Sequence, residues 1–329
     1  MPRLMAARRL EGLDGLRGIA ALCVLAYHAA GFIRPGIAGN AYLAVDFFFL
    51  LSGFVMARTY DARLVSGLAA ADFMIARVRR LWPMMALGGV IGMPVAWLHY
   101  GADFGYVAVS GLLLVPVLFG TAAFPLNIPC WSIFFELVAN MFHGAVLRRV
   151  SVRALGGLIA VFAVLMVLVA ARFGADVGSA PAHFWWALVR VGLPYCSGVL
   201  LWRLWGDRPP LAVPPWIAFA AMPIVFAAVS AWSAWTGRGS TWALDIGLVA
   251  ALWPLLLMGG MAFRGSSVVA RLGGAISFPL YAVHMPLMQL AERLDIAVGW
   301  AVAASLVLAL LLAGQLRLPL RAPAPTPAA

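Results

Sequence analysis

The chain has 329 residues, of which 64% are apolar and only 11% charged, and its mean hydropathy is +0.97. Soluble globular proteins carry about 25% charged residues, so this composition excludes a soluble globular domain and indicates a polytopic membrane protein. The net charge of +11 comes from 23 arginines and no lysine. In a membrane protein that charge is first a topology signal, and we expect no nucleic-acid partner.

Apolar segments of about bilayer length follow one another along the chain, so the sequence predicts an all-α fold. The first follows a basic stretch that resembles a signal peptide, but Arg17 and His28 within it argue against cleavage. A further segment, 105–120, is short and ends in proline and glycine residues; it either crosses the membrane or dips in and returns. The ten predicted spans are 14–33, 42–60, 80–98, 131–147, 154–172, 184–204, 211–234, 243–263, 271–291 and 296–316.

The arginines decide between these alternatives, because cytoplasmic loops collect positive charge. If 105–120 does not cross, 18 of the 23 arginines lie on the cytoplasmic side. If it does cross, the cluster from Arg148 to Arg153 and every later pair move to the outer face. We therefore predict about ten transmembrane helices with both termini cytoplasmic.

A single membrane domain is predicted over residues 1–321. Residues 322–329, APAPTPAA, have nothing to bury and are predicted to be a disordered Pro/Ala-rich tail. Three cysteines, Cys23, Cys130 and Cys196, show no metal-ligand spacing, so we expect neither a disulfide framework nor a bound metal.

Ionisable residues inside the predicted spans identify a candidate site, because each costs a few kcal/mol in hydrocarbon unless it has a partner or a task. His28 follows Arg17 by 11 residues, which returns it to within about 20° of the same helix face and about 16 Å deeper. Asp14 shares that face. The first helix therefore links a cytoplasmic cation to an imidazole in the outer half of the membrane.

Ionisable and polar residues of other spans are predicted to lie at a similar depth. Asp46 lies about one turn into the second span, and Glu136 belongs to a polar stripe on one helix face; either carboxylate could orient the imidazole of His28. Such convergence is what a buried polar cavity requires. The residues placed at this depth are Asp46, Glu136, Arg190, Tyr281 and His284.

Plainer structural roles compete with these. Asp46, Glu136 and Arg190 could be mutually paired structural ions. Histidines near the ends of spans are expected to hold helices together by hydrogen bonds. These are His99, His143 and His183.

Arg77 and Arg80 lie three residues apart at the start of a helix, so their side chains project together. Two guanidinium groups in this arrangement suit a multiply charged phosphate ligand. Part of the charge between Arg58 and Arg80 sets topology, but five arginines in one loop exceed that need.

These residues lie in stretches that resemble the acyltransferase 3 family, and the resemblance covers nearly the whole chain. Its members are typically ten-helix membrane enzymes that move an acyl group, usually acetyl, from cytoplasmic acyl-CoA to a hydroxyl outside the cytoplasm. The stretches that carry the resemblance are LDGLRGIAALCVLAYH, AVDFFFLLSGF, Arg77-x-x-Arg80 before Trp82-Pro83, WSIFFE, Arg190 to Gly198, and FPLYAVHMPL.

The resemblance implies that His28 is the catalytic residue. It would act either as a general base or through a transient acyl-His intermediate. Arg17, Arg77 and Arg80 are expected to bind the donor, and Asp46 or Glu136 to fix the tautomer of His28. Weaker expectations, contact with the substrate or with a developing oxyanion, fall on Arg190, Tyr281 and His284.

No permanently bound cofactor is expected; acetyl-CoA or another acyl-CoA is the expected donor. The expected acceptor is a carbohydrate hydroxyl, as in a surface polysaccharide or exopolysaccharide, with peptidoglycan, a lipid-linked sugar or a small metabolite left open. We expect a bacterial plasma (inner) membrane location, contact with membrane lipids and polysaccharide-assembly proteins as partners. Many relatives carry an additional C-terminal domain, whereas this chain is expected to be a standalone membrane module.

Two other classes of protein remain as alternatives. One is a secondary transporter that uses intramembrane His, Asp and Glu as a proton relay, although no inverted repeat supports it. The other is a membrane scaffold whose arginines bind anionic lipid headgroups, which leaves the alignment of His28 with Arg17 unexplained.

Overall fold

Twelve α-helices account for most of residues 10–34, 39–211, 213–263 and 265–315, the part of the chain that the computed structural model describes. No strand occurs within these ranges, which confirms the all-α prediction. The predicted tail 322–329 lies outside them. The helices are α1 Glu11–Ile33, α2 Ala44–Val65, α3 Ala70–Tyr100, α4 Phe104–Leu112, α5 Cys130–Ala145, α6 Val152–Phe173, α7 Ala187–Trp205, α8 Pro215–Thr236, α9 Trp242–Gly247, α10 Trp253–Ala262, α11 Val268–Arg293 and α12 Val298–Gln315.

Nine helical stretches of the described residues are long and apolar enough to cross a membrane, counting α3 with α4 as one and α9 with α10 as one. They correspond to nine of the ten predicted spans. The other prediction, 131–147, corresponds to α5, whose 16 residues rise only about 24 Å, less than the ~30 Å apolar core of a bilayer. The protein is therefore a multi-pass membrane protein.

Residues 105–120 dip into the bundle and return. α4 has nine residues and lies back along α3, where the Trp82 indole donates to the Leu112 carbonyl at 2.7 Å. The chain then turns, and Gly120 comes to lie against the Tyr100 hydroxyl at the far end of α3. Of the two alternatives that the sequence left open, the structure shows the second.

After this loop the chain enters the interior of the bundle before α5 begins. The Asn127 amide donates to the Ala282 carbonyl of α11 at 2.8 Å, and the Leu126 carbonyl lies against Gly92 of α3. Irregular backbone is tolerated at membrane depth where protein surrounds it. Because α5 starts part-way through the bundle, each of its residues lies further from the Tyr100 end of α3 than it would in a full-length span that began there.

The helix ends that the arginine count assigned to one side do meet in space. Arg271, at the start of α11, pairs with Glu11 at the start of α1 at 3.2 Å. Arg203, near the end of α7, donates to the Leu147 carbonyl just after α5 at 2.8 Å. We call this face the arginine-rich end. The face formed by residues 39–43 and 174–186 is the opposite end.

Several helices of the bundle cross very closely at glycines, among them α2 with α7 and α1 with α11. A Cβ atom at Gly198 of α7 would lie 1.9 Å from the Leu50 carbonyl oxygen of α2, and one at Gly18 of α1 would lie 2.6 Å from the Gly273 Cα of α11. Only glycine allows backbones to approach so closely, as in many membrane helix pairs. These crossings fix α1 against α11 and α2 against α7, the helices that carry most of the polar residues of interest.

Candidate active site

A cavity of about 130 Å³ opens near the arginine-rich end between α1, α2, α3, α5 and α11. Arg17, Arg77 and Arg80 all line it, so the structure brings together the three arginines that the sequence predicted to act jointly. Arg77 is buried, whereas Arg80 is exposed. Apolar side chains of α2, including Val45 and Phe48, continue the wall toward the centre of the bundle. We call it the arginine cavity.

Glu136 also lines the arginine cavity, which corrects its predicted position. The sequence placed this carboxylate in the outer half, beside His28. The structure instead shows it accepting hydrogen bonds from Arg77 at 2.7 Å and from the Ser52 hydroxyl at 3.0 Å. The cause is that α5 begins inside the bundle, at Cys130, which places Glu136 at the level of the α3 arginines. Glu136 therefore holds Arg77 in place rather than orienting an imidazole.

A second cavity, of about 180 Å³, lies toward the opposite end and contains His28. We call it the histidine cavity. Its polar lining combines groups that the sequence predicted, His28 and Arg190, with groups that it missed. The missed polar residues are Tyr27, Tyr42, Asp176 and Ser179.

His28 is hydrogen-bonded to another histidine. Its Nδ1 lies 3.0 Å from Nε2 of His284 and 3.1 Å from the Val24 carbonyl oxygen. His284 is buried behind His28, and its Nδ1 lies 3.0 Å from the Leu280 carbonyl oxygen. The sequence expected Asp46 or Glu136 to contact His28, and the structure corrects this expectation. The sequence grouped His284 with residues that contact the substrate or a developing oxyanion; the structure places it behind His28.

Asp46 forms a salt bridge with Arg190. Both residues are buried, and the Arg190 Nη2 atom lies 2.9 Å from an Asp46 carboxylate oxygen, while Nε contacts both oxygens. The pair thus takes the structural-ion role that the sequence left as an alternative. The guanidinium also lies between the rings of Tyr42 and Trp131, 5.1 and 5.0 Å from their centroids.

Arg190 also forms a salt bridge with Asp176, whose Oδ1 lies 2.8 Å from the Arg190 Nη1 atom. The Asp176 side chain keeps 46% of its surface exposed, against 3% for Asp46, so Asp176 is the carboxylate that a ligand in the histidine cavity can reach. The Tyr27 hydroxyl donates to it at 3.4 Å. Asp176 lies in the non-helical stretch between α6 and α7, where helix periodicity gives no signal.

Tyr281 separates the two cavities. Together with Val45 it lines both, and its hydroxyl lies 2.6 Å from the Ser132 hydroxyl and 3.3 Å from the Pro129 carbonyl oxygen. We call Tyr281, Val45 and Ser132 the partition. The sequence grouped Tyr281 with residues that touch the substrate; the structure places it between the predicted donor and catalytic groups.

Two histidines take the packing roles predicted for them. His143 is buried, with Nε2 2.7 Å from Asp61 and Nδ1 3.2 Å from the Tyr195 hydroxyl, so it connects α2, α5 and α7. His183 accepts a hydrogen bond from the Gly178 backbone at 3.0 Å and stabilises the loop that carries Asp176.

Comparison with known proteins agrees with this geometry. The family model described as an acyltransferase domain, Acyl_transf_3, matches residues 10–316. The chain is 37% identical over 181 residues to "Protein 2 in picA locus" of Rhizobium radiobacter, a match that covers 49% of this chain and 94% of that relative. No solved structure matches the chain at the same stringency.

A second relative carries a more informative name. YrhL of Bacillus subtilis (strain 168), named as a candidate peptidoglycan O-acetyltransferase, is 35% identical over 94 residues, 27% of this chain. The match spans only 14% of that relative's length. The family match, by contrast, covers α1 through α12 and both cavities. This chain belongs to the acyltransferase 3 family and is a membrane acyltransferase.

Proposed function

We propose that the protein moves an acyl group, in the simplest case acetyl, from acyl-CoA to a hydroxyl of a carbohydrate on the other side of the membrane. The observation that carries this proposal is the placement of the two cavities. An arginine-lined cavity and a histidine-lined cavity open toward different ends of one bundle and share a wall at Tyr281 and Val45. Group transfer across a membrane needs this arrangement.

The arginine cavity suits the donor. Guanidinium groups bind phosphate through paired, charge-assisted hydrogen bonds, and CoA carries several phosphate oxygens on its nucleotide portion. Arg80 is exposed to meet them, while Arg77 is held by Glu136. By the positive-inside rule the arginine-rich end faces the cytoplasm, where acyl-CoA is made. The apolar wall beyond the arginines leads the slender pantetheine arm toward Tyr281.

His28 is the proposed general base. It takes the proton of the acceptor hydroxyl as the hydroxyl oxygen attacks the thioester carbonyl carbon. The C–O bond forms, the C–S bond breaks, and the proton passes from His28 to the departing CoA thiolate. In the competing version the acyl group is first carried by His28 itself and then passed to the hydroxyl.

The histidine cavity suits a carbohydrate acceptor. The exposed Asp176 carboxylate and the hydroxyls of Tyr27 and Ser179 offer the hydrogen-bonding groups that sugar hydroxyls need. The name of YrhL supports a sugar acceptor of the peptidoglycan kind, while surface polysaccharides and lipid-linked sugars offer the same chemistry. The proposed location is a bacterial plasma membrane, with polysaccharide-assembly proteins as partners.

The transporter alternative loses its relay in this geometry. Asp46 is fully engaged by buried Arg190, and Glu136 by Arg77, so neither carboxylate is free to take up and release protons in turn. Solute uptake without acyl transfer by the purified protein would restore that alternative.

The direct test is acyl transfer by protein reconstituted in proteoliposomes with acetyl-CoA outside and carbohydrate acceptors inside. Cells with the gene deleted and restored supply the native acceptor, identified by mass spectrometry. We expect His28→Ala to lower transfer by about 10²–10⁴-fold while binding acetyl-CoA normally. His99→Ala, on an exposed end of α3, is the matched control and should transfer normally. Near-normal transfer by His28→Ala would contradict the proposal.

A further inference from the structure

The contact between His28 and His284 fixes where their protons lie. The partner of His284 Nδ1 is the Leu280 carbonyl oxygen, which can only accept, so that nitrogen carries a hydrogen. A neutral His284 then has a bare Nε2. The reverse arrangement would require a doubly protonated, cationic His284 in a buried site, which desolvation strongly disfavours.

The hydrogen on the His28 ring can be located in the same way. Both partners of its Nδ1, the Val24 carbonyl oxygen and Nε2 of His284, accept hydrogen bonds. Nδ1 of His28 therefore carries its hydrogen, and the lone pair of the neutral ring is on Nε2. A chain of donors runs in one direction, from His28 through His284 to Leu280.

We propose that His284 is a positioning residue that holds His28 in the tautomer with a free Nε2 base. This rests on the proposed role of His28. When Nε2 of His28 takes the hydroxyl proton, the Nδ1–H bond to His284 becomes charge-assisted and stabilises the imidazolium until the proton is passed on. An imidazole here takes the place that a carboxylate occupies in many catalytic triads.

In the described part of the chain, the side-chain partner of His28 Nδ1 is an imidazole and not a carboxylate. Asp46, one of the carboxylates that the sequence expected there, forms a salt bridge with Arg190. The other groups that face His28 across the histidine cavity do not contact its Nδ1. They are Tyr27, Tyr42, Asp176, Arg190 and Tyr281.

The first test measures the tautomer directly in the wild-type protein. With ¹⁵N-labelled histidine, solid-state NMR in lipid distinguishes ring nitrogens that carry hydrogen from those that do not. His28, assigned by comparison with His28→Ala, should be protonated at Nδ1 and bare at Nε2. A ring protonated at Nε2 alone overturns the proposal, whatever any variant does.

The second test compares two replacements of His284. His284→Leu removes the acceptor, and we expect kcat to fall by about 10–100-fold, with acetyl-CoA binding unchanged. His284→Gln places a carbonyl oxygen near the former Nε2, and we expect it to recover most of the rate and the Nδ1–H tautomer. Equal loss in both variants, with the tautomer of His28 unchanged in each, would overturn the proposal.

A double variant distinguishes the role of His284 from the proposed catalytic role of His28. If His284 acts through His28, adding His284→Leu to His28→Ala should lower transfer no further. If His28→Ala transfers normally, the proposed function fails. If His28→Ala is inactive but His284→Leu is fully active, only the role of His284 fails.

Discussion

Arg190 and Arg80 show how differently one residue type is used within this bundle. Arg190 is enclosed by two carboxylates and two aromatic rings, so its guanidinium group is fully paired and connects α2, α7 and the Asp176 loop. Arg80 is exposed at the arginine cavity, so its charge remains available to a ligand. A buried pair and an exposed cation predict opposite phenotypes when they are changed.

Asp46→Asn should destabilise the protein by about 3–5 kcal/mol, because it leaves the buried Arg190 without its buried counter-charge. Unfolding in detergent, followed by circular dichroism, measures the change. Asp176→Asn is the control and should unfold much closer to wild type, since its carboxylate is half exposed. Equal stability of Asp46→Asn and wild type would show that the pair contributes nothing.

Arg80→Ala should weaken acetyl-CoA binding by about 10–100-fold, since a hydrogen bond to a charged group is worth about 1.5–3 kcal/mol. Arg80→Lys should fall between, because it keeps the charge but loses the planar fork. Calorimetry at several salt concentrations is the measurement, and the salt dependence should flatten in Arg80→Ala. Arg79→Ala, one residue away and absent from the cavity lining, should bind as wild type. Weakened binding in both alanine variants alike would point to a general charge effect.

Single residues were predictable where one helix decides their position. Helix periodicity alone puts Arg17 and His28 on one face and makes Arg77 and Arg80 project together. Partners across helices were not predictable, because they depend on how far each helix is inserted. Glu136 was placed too far outward for this reason, and His284 was recognised as a polar group without its partner.

At the level of helices, close backbone packing and charged side chains add to the Asp46–Arg190 pair in holding α2 against α7. Gly198 allows the backbones to touch, and near the arginine-rich end Arg203 and His143 share the Asp61 carboxylate at 2.8 and 2.7 Å. Charge-assisted bonds among three helices are expensive to break away from water. This joint fixes the wall from which Asp46 and Arg190 extend.

Gly198→Ala should prevent this crossing from forming, because its Cβ would lie 1.9 Å from the Leu50 carbonyl oxygen. We expect a large loss of folded protein, seen as low yield and aggregation in size-exclusion chromatography. Gly157→Ala on α6, where a Cβ meets no atom within 4 Å, should be neutral or slightly stabilising. If Gly198→Ala folds as well as Gly157→Ala, α2 and α7 can separate freely.

The helices themselves were largely predictable, since each long apolar segment became a helix. The exception is informative. Residues 113–129 lack helical structure yet enter the bundle, where tertiary contacts hold them: the Ala123 backbone N–H donates to the Ser179 carbonyl at 2.8 Å, and the Asn127 side chain donates to the Ala282 carbonyl. No local pattern encodes those contacts, so the depth at which α5 begins could not be foreseen from the sequence, although the predicted span 131–147 lies close to the observed Cys130–Ala145.

For the whole molecule, the remaining prediction is which end faces the cytoplasm. In a variant without the native cysteines, Arg238→Cys should react with a membrane-impermeant thiol reagent in intact cells, and Val150→Cys should react only after the cells are opened. The arginine-rich end includes position 150, and position 238 follows α8 at the other end. The reverse labelling pattern would invert the protein and contradict the proposed direction of transfer.

The partition bears on whether the membrane stays impermeable to protons. Two water-accessible cavities that joined would let ions cross the membrane down their gradient. Among the described residues, Tyr281 and Val45 line both cavities, and Ser132 is hydrogen-bonded to Tyr281. We expect the pantetheine arm and its acyl group to occupy the gap when Tyr281 moves aside, so that the passage stays closed to ions. Tyr281→Ala should make proteoliposomes leak protons, as a pH-sensitive dye would report, whereas Tyr281→Phe, which keeps the ring, should not. An acyltransferase with this arrangement has to keep the membrane impermeable to protons while it transfers the acyl group.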